Sequence, residues 1–410
     1  MNARDAEEYL LGLELFGMRF GLDRMHKLMT VLGMPQRRFA SIHVVGTNGK
    51  SSTTRMIAAI LERHGLRTGA YTSPHLRSFS ERIEVAGAPV SDAEFASGVS
   101  RAAHAAELVD RTLDADDRVT QFEALTAAAY HLLATRGVDV AVVEAGLGGR
   151  YDATNVIPSK VQVLTGVGLE HTRWLGPTIA DIAREKLAVV RDHATLVVGA
   201  LPPEADALAR EVSGDRHAQL IRASETAEVP MRALGSFQRR NFAVARAAAE
   251  AFLGSLDAAA VARAAAEVEI PGRLQVVGRD PIVLLDAAHN PSGMEALAEA
   301  LPEVLADRRL VAAVGILDDK DAAAMLRVLL PLAAAAVFTR PPSSRALSPA
   351  TLAALSEQLG GPPAEIVPDP RAAVARAREI AGREGAVVAT GSIYLVADLV
   401  RERRARASIL

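Results

Sequence analysis

The stretch from residue 43 to residue 65, HVVGTNGKSSTTRMIAAILERHG, combines residue types that can bind a phosphate group. Gly46 and Gly49 permit a tight turn after an apolar run, Lys50 supplies a mobile cation, and two serines follow. Backbone N–H groups at a helix N-terminus attract anions, and a hydroxyl there can also ligate Mg²⁺. The pattern predicts a phosphate loop, although Val44 occupies the first glycine position of the Walker pattern. The alternative is a turn between a strand and a helix with a surface lysine.

A second candidate group ends the apolar run VDVAVVEA. Glu144 there precedes a glycine-rich turn, and a carboxylate at such a strand end can ligate a metal that faces the phosphate loop. A solvated acid at a strand end is the alternative. The turn is not a dinucleotide fingerprint, because Tyr151 occupies the position of the third glycine. Since cysteine is absent, any metal must use oxygen or imidazole ligands, which favours Mg²⁺.

Other polar residues follow later apolar runs, and each is ambiguous by itself. His171 follows one run and Lys186 lies on a predicted helix, but a lone histidine is more often structural and a helical lysine is usually solvated. Asp286 lies near the end of the run IVLLDA and His289 follows it, where a polar turn before a helix is an equally good interpretation. Ligands of open α/β sheets bind at such strand ends, and several of them occur here.

The order of apolar runs predicts the elements that position these residues. SIHVV, VDVAVVEA, VQVLTGV and TLVVGA, and later IVLLDA, LVAAVG, AAAVF and AVVATG, alternate with helical patterns. This alternation predicts an α/β protein with parallel, doubly wound sheets. A chain of 410 residues suits two domains. The punctuated segment VEIPGRLQVVGRDP predicts the boundary, giving domains 1–272 and 273–410.

Composition and charge limit the classes of molecule that the protein is expected to bind. The chain has 46 basic and 49 acidic residues, which gives no electrostatic footprint for nucleic acid or an anionic membrane. Small-molecule substrates are therefore expected. The N-terminus lacks the features of a secretory signal, which predicts the cytoplasm. The longest apolar stretch is interrupted by Pro331, so no membrane span is expected. A monomer is predicted, since one chain supplies all the candidate residues.

Eleven motifs, taken in order, resemble one known family. They are FGLDRM, HVVGTNGKSS, YTSPHL, ERIEV, FEALTAAAY, EAGLGGRYDATNV, LEHTRWLGPTIADIAREK, PGRLQ, LDAAHNP, GILDDKD and TGSIYLV. Together they resemble the bifunctional dihydrofolate synthase/folylpolyglutamate synthase branch of the Mur ligase family, from about residue 10 to residue 400. The resemblance implies a larger P-loop ATPase domain, a smaller Rossmann-like domain, and ATP-dependent addition of L-glutamate to dihydropteroate or folate.

The resemblance also implies roles for individual residues. The nucleotide site would comprise Gly46, Thr47, Asn48, Gly49, Lys50, Ser51, Ser52, Asn241, Arg273 and Asp286. Ligands of two Mg²⁺ sites would be Ser51, Glu144, His171 and, as a carbamate, Lys186. The acceptor pocket would use Ser73, Pro74, Thr120, Phe122, Asp152 and Ala153, and the incoming glutamate would contact His289 and Ser392. The catalytic residues would be Lys50, His171 and Lys186.

Two other functions stay open at this point. A Mur-type ligase with a non-folate acceptor would share the mechanism, but YTSPHL together with YDATN favours the folate branch. A P-loop regulatory protein would bind nucleotide without synthesis. Such a protein would not need the polar strand ends LDAAHNP and DDKD of the second predicted sheet.

Overall fold

The computed structural model describes residues 1–13, 21–114 and 116–401, which divide into two compact units. The first unit contains the chain up to Pro230 together with Arg240–Val268. The second contains Met231–Arg239 and the described residues from Glu269 to Arg401. The predicted boundary at residue 273 is close to the start of that second part, but the earlier segment was not predicted. Phe20, the first residue of FGLDRM, lies outside the described residues.

The first unit is built on one mixed sheet. Within the described residues its strand order is β4-β3-β2-β5-β1-β6-β7-β8. The strands are β1 (Ala40–Val45), β2 (Thr68–Tyr71), β3 (Ile83–Val85), β4 (Ala88–Pro89), β5 (Val140–Glu144), β6 (Val161–Leu164), β7 (Thr195–Val198) and β8 (Gln219–Arg222). The pairs β2–β3 and β3–β4 are antiparallel and the other neighbours are parallel.

Helices connect most of these strands and pack on the sheet. They are α1 (Ala3–Gly12), α2 (Asp23–Val31), α3 (Lys50–Arg63), α4 (Asp92–Asp110), α5 (Gln121–Thr135), α6 (Thr172–Leu175), α7 (Ile179–Leu187), α8 (Pro203–Asp215), α9 (Ser236–Leu253) and α10 (Ala258–Glu267). Helix α9 begins in the second unit and continues in the first. One apolar cluster joins α4 and α5 to β5, and another joins α7 and α8 to β6 and β7.

The second unit has a smaller sheet of strand order β13-β12-β11-β14-β10-β9 within the part of the chain that is described. Its strands are β9 (Gln275–Arg279), β10 (Ile282–Leu285), β11 (Leu310–Val314), β12 (Ala335–Phe338), β13 (Ala364–Ile366) and β14 (Ala386–Thr390). Its helices are α11 (Pro291–Leu305), α12 (Ala322–Leu329), α13 (Pro349–Gln358), α14 (Pro370–Ala381) and α15 (Ile393–Val400). Strand β9 pairs antiparallel with β10, and the remaining neighbours are parallel.

The predicted α/β class with two sheets is confirmed, and each apolar run named above contains an observed strand. The expectation of parallel sheets is wrong at two edges, where β3, β4 and β9 run antiparallel. β3 and β4 have three and two residues, which is too short for a hydrophobic period to appear. Among the described helices, none is both long and apolar enough to cross a membrane.

Candidate active site

The first unit places the predicted phosphate loop between β1 and α3. Lys50 is the first residue of α3, and its Nζ donates to Thr47 O at 3.1 Å. Thr47 N donates to Gly166 O at 2.9 Å, and Thr165 Oγ1 donates to Asn48 O at 2.6 Å. These bonds tie the loop to the chain that follows β6. The loop thus presents a helix N-terminus and a lysine, which together can hold an anion.

Glycine is required at two positions of this loop. Gly49 has φ 83°, in the left-handed region, and a Cβ on it would lie 2.5 Å from Asn241 Oδ1. A Cβ on Gly46 would collide with the side chain of Thr165. Asn241, which the resemblance assigns to the nucleotide site, therefore lies directly against the loop. Ser52, from the same assignment, is buried in the first turn of α3.

A buried carboxylate joins the phosphate loop to the YTSPHL loop. Glu144 is the last residue of β5 and is 1% exposed. Its Oε1 accepts from Ser51 Oγ at 3.0 Å, and its Oε2 accepts from Ser73 N at 3.0 Å. The Ser73–Pro74 peptide bond is cis. Three residues that were predicted to serve metal, nucleotide and acceptor are thus in direct contact.

Lys186 is buried at the end of α7 and points to the phosphate loop. Its Nζ donates to Gly46 O at 2.8 Å. Burial, and to a smaller extent the positive charge of Lys50, lower the pKa of Lys186 to about 7. Near neutral pH a substantial share of this side chain is therefore an uncharged amine, the form that reacts with electrophiles.

The glycine-rich turn after β5 packs on the end of α7. A Cβ on Gly149 would lie 2.7 Å from Glu185 O and 2.8 Å from Lys186 O. Arg150 N donates to the same Glu185 carbonyl at 3.0 Å. Because glycine has no side chain, the turn can approach the helix this closely. The turn therefore helps to set the position of Lys186.

Two of the predicted acceptor residues lie in the 3₁₀ turn that follows. Asp152 is buried; it accepts from Leu147 N at 2.8 Å and from Thr154 N at 3.0 Å. Burial raises the pKa of Asp152, against the effect of these hydrogen bonds. Ala153 begins the turn and is also buried. The turn presents an ordered carboxyl group that is shielded from water.

Helix α5 carries the other two predicted acceptor residues. Thr120 caps its N-terminus and accepts from Glu123 N, while the Glu123 carboxylate accepts from Thr120 N. The Phe122 ring stacks on Tyr71, with 6.2 Å between the ring centroids. A Cβ on Gly146 would lie 2.6 Å from Phe122 Cζ. Phe122 therefore packs against the glycine-rich turn after β5, whereas Thr120 caps the helix that carries Phe122.

The candidate metal ligands have mixed support. Ser51 and Glu144 lie together and supply the oxygen atoms that Mg²⁺ prefers, so they fit a hard cation. His171 has a left-handed backbone before α6, and its side chain is 42% exposed. Its Nε2 lies 3.9 Å from Glu170 Oε1. Among the described residues, no group of three or more histidine, aspartate or glutamate side chains is arranged so that it could hold a metal ion.

The second unit brings its own predicted residues to one end of its sheet. Asp286 follows β10 and is buried; it accepts from Leu274 N at 2.9 Å and from Ala288 N at 2.8 Å. Burial raises the pKa of Asp286, and the charge of Arg273 opposes that shift. His289 Nδ1 lies 2.9 Å from Ala287 O.

The glycine before Ser392 closes that sheet end. Ser392 caps α15, and Gly391 N donates to Ala288 O at 3.1 Å. Gly391 has φ 103°, and a Cβ on it would lie 2.7 Å from Gly315 O. The loops that follow β10, β11 and β14 therefore meet, which places Ser392 beside the loop that carries His289.

Sequence reasoning missed the residues that hold the YTSPHL loop in place. Glu81 Oε2 accepts from Leu76 N at 3.1 Å and from Arg77 N at 3.0 Å, and Arg82 Nε donates to His75 Nδ1 at 3.0 Å. Glu81 and Arg82 both belong to the motif ERIEV. The sequence showed the motif but did not indicate that it holds the YTSPHL loop. Thr165, which braces the phosphate loop, lay in the run VQVLTGV, where it was interpreted only as part of a strand.

Two family models match the chain. The Mur ligase middle domain matches residues 44–228, and the Mur ligase glutamate ligase domain matches residues 272–393. The dihydrofolate synthase/folylpolyglutamate synthase of Bacillus subtilis is 32% identical over 97% of this chain and 98% of its own length. The chain belongs to the dihydrofolate synthase/folylpolyglutamate synthase family of Mur ligases.

Other members of the family support this assignment. The Mycobacterium tuberculosis folylpolyglutamate synthase, solved in complex with ADP, has a TM-score of 0.91 and is 32% identical; the match covers 98% of each chain. A probable bifunctional folylpolyglutamate synthase/dihydropteroate synthase of Haloferax volcanii is 34% identical over 97% of this chain. The chain spans 50% of the length of that Haloferax relative.

Proposed function

We propose that this chain is an ATP-dependent ligase that joins L-glutamate to the carboxylate of dihydropteroate, a folate or a folate polyglutamate. The observation that carries the proposal is the Glu144 carboxylate, which contacts both the phosphate loop through Ser51 and the YTSPHL loop through Ser73. Such a link suits a reaction in which a phosphoryl group passes from nucleotide to acceptor. The family membership gives the chemical class of that acceptor.

The reaction needs an activated carboxylate, because a carboxylate itself does not react with an amine. The γ-phosphoryl group of ATP would move to the acceptor carboxylate to give an acyl phosphate, which the glutamate amine then attacks with loss of phosphate. Phosphoryl transfer depends mainly on positioning and on neutralisation of charge. Lys50 and the N-terminus of α3 would supply both at the phosphate loop, and Ser73 with Asp152 would hold the acceptor.

The fit of Ser51 and Glu144 to a hard cation supports a Mg²⁺ requirement. When bound, Mg²⁺ would neutralise the charge of the phosphate oxygens. A second site, with His171 and a carbamylated Lys186, remains part of the proposal. The lowered pKa of Lys186 supports this second site, since CO₂ reacts with a neutral amine.

In the second unit, Arg273 and Asp286 would bind the nucleotide, and His289 and Ser392 would bind the glutamate. We expect a monomer.

The test is Mg²⁺-dependent ADP release with L-glutamate, comparing dihydropteroate and tetrahydrofolate with a blank that lacks an acceptor. Stimulation by dihydropteroate alone identifies a dihydrofolate synthase, and stimulation by both identifies a bifunctional enzyme.

Lys50→Ala should abolish turnover, because the phosphate loop loses its cation. The exposed Lys160 provides the control, and Lys160→Ala should retain activity. Near-normal turnover by Lys50→Ala would contradict the phosphate-loop assignment.

A Mur-type ligase with a different acceptor is the alternative. It predicts that neither folate stimulates ADP release, while ATP still binds at the phosphate loop. Ser73→Ala separates the two. In a folate enzyme it should raise KM for the folate acceptor more than KM for ATP, and equal effects would show that the YTSPHL loop has another purpose.

A further inference from the structure

A buried histidine lies on the strand that leads into the phosphate loop. His43 of β1 is 0% exposed, and its Nε2 lies 2.8 Å from Thr154 Oγ1. Its Nδ1 is buried and has no hydrogen-bond partner among the described residues. Burial lowers the pKa of His43 to about 3, and the charge of Arg191 acts in the same direction. The ring is therefore neutral at physiological pH and can donate from only one nitrogen.

The hydrogen bonds around Thr154 determine which nitrogen carries the proton. The Thr154 hydroxyl donates its single hydrogen to Asp152 Oδ1, so it can only accept from the histidine. Nε2 of His43 is consequently the N–H donor and Nδ1 is the bare acceptor. The three side chains form a relay in which His43 donates to Thr154 and Thr154 donates to Asp152.

The cost of the bare nitrogen indicates that this relay serves a purpose. A buried acceptor without a donor is unfavourable, and an apolar side chain would fill the same position in the sheet without that cost. The rest of the turn is held by other contacts: Tyr130 donates to Thr154 O at 2.9 Å, and Arg191 Nη2 donates to Asn155 Oδ1 at 2.8 Å. Within the described part of the chain, His43 is the one other side chain that contacts the hydroxyl bonded to Asp152.

We propose that His43 is a positioning residue that orients the Asp152 carboxylate toward the acceptor through the Thr154 hydroxyl. The inference rests on the proposed function, since it takes Asp152 as an acceptor-binding group. It adds a buried residue on the strand that ends at the phosphate loop. With Nε2–H donating, the Thr154 hydroxyl hydrogen is directed to Asp152 and cannot rotate toward another acceptor.

The test compares His43→Leu with His43→Gln. The leucine variant keeps the bulk and removes the donor, whereas the glutamine amide can donate from a similar position. For His43→Leu we expect KM for the folate acceptor to rise about tenfold, with KM for ATP nearly unchanged. His43→Gln should restore most of the acceptor KM. Ser41→Ala is the matched control, because Ser41 is a buried residue of the same strand and no described residue hydrogen-bonds to its hydroxyl.

Further measurements keep the inference testable if His43→Leu fails to fold. Nitrogen NMR of the His43 ring should show the Nε2–H tautomer in the wild type, and Thr154→Val should reproduce the acceptor KM of His43→Leu. An unchanged acceptor KM in folded His43→Leu and Thr154→Val overturns the inference. Equal rises of both Michaelis constants in the leucine and glutamine variants also overturn it, because they indicate a structural role only. A wild type that no folate stimulates refutes the proposed function itself, before any variant is made.

Discussion

Two glycines at the ends of α3 have similar left-handed backbone conformations but different surroundings. Gly49 has φ 83° and Gly65 has φ 88°, so alanine at either is unfavourable by about 1 kcal/mol. Only the change at Gly49 also forces a collision, with Asn241 Oδ1. We expect Gly49→Ala to weaken nucleotide binding at least about tenfold, because the loop and Asn241 must separate. Calorimetric titration with ADP measures this.

Gly65→Ala is the control for this prediction, since a Cβ there has nothing within 4 Å. It should lower the free energy of unfolding by a similar strain and leave ADP affinity unchanged. If both variants bind ADP equally well, the close approach of Asn241 to the loop does not matter for the nucleotide.

The low pKa of Lys186 makes a prediction about stability and pH. Between the folded value of about 7 and the ordinary value of 10.5, the unfolded chain binds more protons than the folded one. The free energy of unfolding therefore rises with pH in this window, by up to about 1.4 kcal/mol per pH unit from this group. Below pH 7 both states hold the proton and the contribution to the slope disappears.

Denaturant unfolding of wild type and Lys186→Met at pH 7, 8 and 9 measures that slope by difference. The buffers must be free of bicarbonate, because a carbamate would remove the titrating amine. The wild type should gain stability relative to the methionine variant as pH rises. Parallel curves for the two proteins would mean that Lys186 is solvated and titrates normally.

Two helices of the first unit have the same type of N-terminal cap, and one of them carries Phe122 in its first turn. Thr120 and Ser91 both cap helices with the same reciprocal pattern, with Glu123 and Glu94 as their partners. Removing either hydroxyl should cost about 1 kcal/mol of stability. Thr120→Ala should also raise KM for the acceptor, because fraying of the first turn of α5 displaces Phe122.

Ser91→Ala is the matched control, with an expected loss of stability and a normal acceptor KM. Thermal unfolding and steady-state kinetics on both variants separate the two effects. Equal kinetics for the two variants would show that the start of α5 does not shape the pocket.

The elements that sequence predicts well here are those with a strong pattern. Buried parallel strands such as β1 and β5 read as apolar runs, and Gly49 and Gly65 mark the ends of α3. The relay from His43 to Asp152 was not predictable, because it joins residues 109 positions apart through a hydroxyl and depends on the register of the strand with its neighbours. Hydrogen bonds between distant polar residues leave no periodic signal.

At the scale of the whole molecule, the chain passes between the two units more often than the sequence indicates. Leu234 and Phe237 pack on the apolar core of the second unit, and Arg239 forms an ion pair with Glu303 there. We therefore expect that fragments 1–268 and 269–410, expressed together, copurify. The segment before α9 and the start of that helix would hold the second fragment.

Leu234→Asp in the first fragment should abolish copurification, since it places a charge against that apolar core. Arg246→Asp is the control, because Arg246 is exposed on α9 in the part that belongs to the first unit. Copurification that survives Leu234→Asp would mean that the segment is dispensable. The predicted boundary at residue 273 did not include Met231–Arg239 in the second unit. Proline and glycine indicate where a chain turns, but they do not indicate which unit a segment packs on.

The contact between Glu144 and Ser73 uses the backbone N–H of the loop and not the serine side chain. The attachment of the YTSPHL loop therefore needs only a backbone N–H at position 73, which every amino acid except proline supplies. Substitutions of other side chains in this loop can change its surface while the anchor to the phosphate loop stays in place. Under the proposed function, the preference for one acceptor over another could therefore evolve through this loop without a change in its connection to the nucleotide site.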